Sequence, residues 1–187
     1  MEARDVALAA VLAALYAGLV VGLAPISFYA IQVRVADALL PLSIILGWPA
    51  VLGFAVGCFI ANFFGLPFPF CVADAVLGSL ANLTACALGY KLGGGSADPK
   101  KAFLATLAIF SVVTAVVGTY LPFFLVACGI PADLPFLSSH VAPPPLGLLL
   151  VGWVSVGLGS LVSVIVLGYP LLMAVVKAGV RPSPGTP

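Results

Sequence analysis

Charge is what this sequence has least of. Only 7% of its 187 residues are charged, seven basic and six acidic, and there is a single histidine. A soluble domain carries roughly a quarter charged residues, and about 30% of the surface of an unfolded chain this long stays exposed on folding. So few charges cannot cover that surface. With 63% hydrophobic residues and a mean hydropathy of +1.29, the solvent for most side chains must be lipid. A net charge of +1 leaves no basic stripe for nucleic acid. Strict alternation of apolar and polar residues is missing, which excludes an outer-membrane barrel. There is no G-x-x-x-x-G-K-[ST], so the chain does not hydrolyse ATP through a P-loop, and neither H-E-x-x-H nor G-x-S-x-G occurs. His140, the one histidine, lies outside the apolar runs, so Ser79 and Ser160 have no base at membrane depth. It lacks a carboxylate at ligand spacing and reads as an exposed loop residue. Cys58, Cys71, Cys86 and Cys128 match no zinc or redox spacing and read as apolar filler. No catalytic residue, cofactor or metal is expected. The lack of an internal repeat argues against an inverted-repeat transporter.

What is present is a series of helix-length apolar runs at 6–24, 39–65, 72–90, 102–128 and 146–176. The first has no positive leader and is longer than a signal h-region, so it is expected to stay as a span. The second is too long for one straight span and is broken by Gly47-Trp48-Pro49. It is either one kinked helix or a hairpin of two short ones. Cytoplasmic flanks collect Lys and Arg, and this rule decides for the hairpin. Six spans put Arg4, Lys91, Lys100, Lys101, Lys177 and Arg181 on one side, whereas five spans put Lys91, Lys100 and Lys101 on the other. The expected fold is all-α, a multi-pass plasma-membrane protein with both termini cytoplasmic. One transmembrane domain, 1–180, has six transmembrane helices at about 6–24, 36–47, 49–65, 72–91, 101–128 and 146–177. The second span is short enough to need help from the first outer loop. Gly93 to Pro99 reads as a flexible linker closing on an N-cap, the proline-rich stretch 129–145 as a stiff outer loop, and 181–187 as a disordered tail.

With that topology, expensive side chains gather in the outer half: Gln32, Arg34, Asp37, Asn62, Asp74 and Trp153. The fifth and sixth spans hold no ionisable residue in their apolar interiors, which disfavours a proton relay. A pocket open to the outside fits better. Plainer roles stand beside this one. Arg34 and Asp37 suit an ion pair at a helix start, Asp74 a helix cap, and Asn62 and Asn82 interhelical bonding. Ala10, Ala14, Gly18 and Gly22 form a small-residue ladder on the first span, with Ala9, Ala13 and Ala17 beside it, and Gly53, Gly57 and Ala61 form another on the third. Such faces serve either packing within the chain or docking of another membrane protein.

The segment Leu15-Tyr16 and the run from Ala24-Pro25-Ile26-Ser27-Phe28-Tyr29 through Gln32-Val33-Arg34 to Asp37-Ala38-Leu39 resembles the signature of the QueT family. The likeness continues through Gly57 to Asn62, Asp74 to Leu80 and Leu167 to Leu172. These are substrate-binding S components of energy-coupling factor (ECF) transporters, associated with uptake of queuosine precursors. The resemblance implies a six-helix S component that is not an enzyme. Its partners would be one transmembrane coupling protein and two cytoplasmic ATP-binding subunits, and the ladder on the first helix would meet the coupling protein. Asp37 stands where the family usually has Glu, Ser160 follows Gly159 where Gly-Glu is common, and the fifth span lacks the usual asparagine. A 7-deazaguanine would suit the polar set, with Asp74 or Asp37 reading its donor edge and Arg34 and Gln32 its acceptor side. Asn62 would orient it, and Phe28, Tyr29 or Trp153 would stack on the ring. Alternatives are an S component for a different vitamin-like ligand, or a non-transport membrane scaffold or enzyme.

Overall fold

Every apolar run becomes helical, and the helix ends fall where the local chemistry puts them. The computed structural model describes residues 2–27, 33–95, 98–141, 143 and 145–180. Phe28, Tyr29, Gln32, Ser96, Ala97 and the tail 181–187 lie outside the described residues. The helices are α1 (Ala3–Gly22), α2 (Ala24–Ser27), a 3-10 segment (Val35–Leu42) running into α3 (Ser43–Leu46), α4 (Trp48–Asn62), α5 (Phe70–Gly93) and α6 (Pro99–Ala127). A single turn at Ser139–Val141 precedes α7 (Leu146–Ser160), which continues through a π-helical segment (Leu161–Gly168) into α8 (Tyr169–Lys177). Asp98 caps α6 by accepting from the Lys100 amide at 3.1 Å, with Pro99 pre-set for the first helical position.

Four helical stretches are long and apolar enough to cross a membrane: Ala3–Gly22, Phe70–Gly93, Pro99–Ala127 and Leu146–Lys177. Val35–Leu46 and Trp48–Asn62 are shorter. The expected break between them is real. Gly47 sits at φ 69°, ψ −151°, outside the reach of a residue with a Cβ, and the chain turns there so that the 3-10 segment comes to lie against α4. A continuous kinked helix would hold these two pieces apart.

Neighbouring helices follow chain order, α1 against α4, α4 against α5, α5 against α6 and α6 against α7, and the 3-10 segment packs between the π-helical segment and α1. The shortest candidate span is therefore the most enclosed. Every residue from Ala36 to Ile45 is buried, joining Tyr16, Phe54, Ile109 and Leu172 in one core. Surrounding helices do for it what lipid does for a longer one, keeping its backbone from water, and a 3-10 helix rises more per residue than an α-helix. The outer surface is apolar, with Val11, Leu104 and Val166 more than half exposed, whereas Arg34, Asp37, Asn62, Asp74 and Asn82 turn inward. α1 and α4 approach closely because glycine allows it: a Cβ on Gly53 or Gly57 would stand 2.7 Å from the carbonyl oxygen of Ala9 or Ala13.

Candidate functional site

Five elements bring polar side chains to one place inside the bundle. Arg34 precedes the 3-10 segment and Asp37 is its third residue; Tyr16 comes from α1, Cys58 and Asn62 from α4, Asp74 and Asn82 from α5, and Tyr120 from α6. Arg34, Asp37, Asn62, Asp74 and Asn82 are all buried, and Asn62 is fully enclosed. Burial of a charge among apolar helices costs several kcal/mol unless partners compensate, so the bonding of each group matters.

Two chains of hydrogen bonds run through the cluster. In the first, Asn82 Nδ2 donates to Tyr16 Oη at 3.0 Å and the Tyr16 hydroxyl donates to Asp37 Oδ1 at 2.5 Å. This ties α5, α1 and the 3-10 segment together. In the second, the Tyr120 hydroxyl donates to Asp74 Oδ1 at 2.7 Å, and Asn62 Nδ2 donates to the backbone carbonyl of Asp74 at 3.1 Å. Arg34 is buried in the same cluster. Its hydrogen bond among the described residues is Nη1 to the Cys58 sulfur at 3.7 Å, a weak acceptor for a strong donor.

Two plainer readings are overturned. Asp74 is not a helix cap, because α5 starts four residues earlier at Phe70 and Asp74 lies within its second turn. Arg34 and Asp37 do not form a direct ion pair at a helix start; the carboxylate turns to Tyr16 instead. Asn82 does bond between helices, as does one end of Asn62. The carbonyl end, Asn62 Oδ1, is buried without a hydrogen-bond partner. Cys58 is more than apolar filler, since it meets the guanidinium.

Trp153 is apart from this cluster. It is 43% exposed and its indole N–H donates to Thr119 across α6 and α7 at 3.0 Å. Phe28, Tyr29 and Gln32 belong to the segment that is not described. The first-span ladder divides. Ala13 is buried and Ala9 and Ala17 half-buried, on the side where α4 packs, while Ala10, Ala14, Gly18 and Gly22 are exposed. In the loop after α6, Asp133 accepts from the Ser139 amide, which with the Ser139 hydroxyl holds its carboxyl below the usual range. His140 is exposed next to it.

The family model described as QueT transporter matches residues 6–177, nearly the whole chain. The chain belongs to the QueT transporter family. No curated protein and no solved structure matches it significantly. Membership of a transporter family agrees with the apolar helices and with a small-molecule solute, and sets the buried cluster in a transport component.

Tyr16, Cys58, Asn82 and Tyr120 are the members of the buried cluster that sequence reasoning did not assign to the site. Tyr16 stood in the quoted family signature, and Asn82 was an amide at membrane depth. Tyr120 had no signal beyond being a hydroxyl inside an apolar run.

Proposed function

We propose that this QueT-family chain is the substrate-binding S component of an ECF-type importer. It captures a 7-deazaguanine queuosine precursor in a site built around Arg34, Asp37, Asn62 and Asp74. Six spans cross the plasma membrane with both termini cytoplasmic, Val35–Leu46 and Trp48–Asn62 being the second and third. This orientation brings the cluster into the outer half, since Asp74 is about 6 Å from the start of α5 at 1.5 Å per residue. Uptake is driven by two ATP-binding partner subunits through a transmembrane coupling protein, which docks on the exposed Ala10, Ala14, Gly18 and Gly22 face.

One observation carries the reading: a buried guanidinium whose hydrogen bond among the described residues goes to a thiol, next to a buried amide oxygen with no partner. A buried amide oxygen left without a partner is rare in structural networks, because an unmade bond costs about 1 to 3 kcal/mol. The two groups suit a planar solute with donors on one edge and an acceptor on the other. Asp74 takes the donor edge, with Asp37 next in line: each carboxylate accepts from one tyrosine hydroxyl, and that of Asp37 is tied further to Asn82 through Tyr16. Gln32, Phe28 and Tyr29 adjoin Arg34 in sequence and would complete the acceptor side and the stacking surface.

The test is direct binding. Purified chain in lipid nanodiscs is titrated calorimetrically, without ATP, with 7-deazaguanine bases, guanine and a panel of vitamins. Submicromolar binding of a 7-deazaguanine supports the proposal. Tight binding of a vitamin instead would make the chain an S component for another ligand, and no binding across the panel would leave a scaffold or enzyme.

A further inference from the structure

The amide of Asn62 has a fixed orientation. Its neighbour at 3.1 Å is the backbone carbonyl of Asp74, which can only accept, so the NH2 end must point there and the oxygen must point away. Gly78, one turn further along α5, makes this possible. A Cβ there would collide with Asn62 Nδ2 and stand 3.3 Å from Tyr120 Oη and 3.5 Å from Cys58 Sγ. Three polar groups from two helices, α4 and α6, thus converge on a glycine of α5. The Tyr120 proton is engaged with Asp74 Oδ1. Tyr120 therefore supplies no donor to Asn62 Oδ1, which is buried and unbonded. Asp74, whose backbone carbonyl accepts from the same amide, takes the Tyr120 proton through one carboxylate oxygen, and its other oxygen has no hydrogen bond among the described residues.

We infer that Asn62 Oδ1 and the second carboxylate oxygen of Asp74 form a paired acceptor edge that selects solutes carrying two adjacent N–H donors. Asn62 thereby reads an exocyclic amine. This rests on the solute-binding reading above and refines it: Asn62 is an acceptor that discriminates between bases, rather than an amide that donates to the solute carbonyl. A guanine-type ring presents a ring N–H and a 2-amino group side by side and satisfies both oxygens. A hypoxanthine-type ring keeps the ring N–H and lacks the amine, so Asn62 Oδ1 stays buried and unpaired in the complex. Sites built to bond a polar group reject analogues without it more strongly than a size difference allows, because of that unpaired partner.

The experiment compares a 7-deazaguanine with the matching 7-deazahypoxanthine, titrated into the full-length chain in nanodiscs, for the parent, Asn62→Ala and Gly78→Ala. Melting temperature is measured alongside. In the parent, 7-deazaguanine is expected to bind at least about tenfold more tightly than its deaminated analogue. In Asn62→Ala that preference should shrink to within about twofold, through loss of affinity for 7-deazaguanine alone. Gly78→Ala moves the tip of the amide while leaving Asn62 in the chain, and it should erode the same preference if Asn62→Ala fails to fold. Equal affinity of the parent for the two bases overturns the inference and leaves the importer reading standing. A preference that survives in a folded variant assigns the amine to another group and also overturns it. If neither base binds the parent, the importer reading itself falls.

Discussion

Asp74 lies too far into α5 to cap it, and its carboxylate is bonded on one side only, by Tyr120. Asp74→Asn keeps an oxygen for Tyr120 and loses no capping bond, so the melting temperature should stay within a few degrees of the parent. The amide would turn a donor toward the donor edge of the solute. Affinity for 7-deazaguanine should fall at least about tenfold, or ~1.4 kcal/mol, in a calorimetric titration. Unchanged affinity would move the donor edge to Asp37. Tyr16 should behave in the opposite way. Its ring packs on Phe54 with centroids 6.1 Å apart, and its hydroxyl joins Asn82 to Asp37. Tyr16→Phe keeps the packing and strands a buried carboxylate and a buried amide, a loss of ~1 to 3 kcal/mol. Thermal melting in nanodiscs should show a clear drop; no drop would mean that water takes over both bonds.

Among the elements, the first helix tests the division of its two neighbouring small-residue rows. Gly57 faces α1 so closely that a Cβ would stand 2.7 Å from the Ala13 carbonyl and 2.9 Å from Tyr16 Cβ. Gly57→Val must push α1 off α4, and a sharp fall in folded yield is expected by size exclusion. Gly18, on the exposed row, has nothing within 4 Å of its Cβ direction. Gly18→Leu should leave melting temperature and solute affinity unchanged while abolishing co-purification of the coupling subunit. Retained co-purification would place the docking face elsewhere. From sequence the ladders were visible as spacing. Which row faces the chain depends on where α4 lies, and no local pattern records that.

At the scale of the molecule, sidedness is open to direct measurement. With the four native cysteines replaced, Ala97→Cys should react with an impermeant thiol reagent only from the cytoplasmic side and Leu137→Cys only from outside. Labelling of position 97 from outside would restore the five-span arrangement and separate Asp74 from an outward-facing site. The membrane class, the helical class, the break at Gly47 and the long helices were legible in the chain itself. Scarce charge and runs of apolar residues demand lipid, lipid demands helices, and Gly-Trp-Pro interrupts one wherever it occurs. Arg34, Asp37, Asn62 and Asp74 were also legible, because polar groups at membrane depth are expensive enough to stand out singly. Their partnership was not. Tyr16 with Asp37, Tyr120 with Asp74 and Asn82 with Tyr16 are 21, 46 and 66 positions apart. A tyrosine in an apolar run looks the same whether it faces lipid or a carboxylate. Tertiary packing alone decided that the short second helix is the core, that Asp74 is not a cap, and that Asn62 turns its oxygen into the bundle, because each depends on which helices meet.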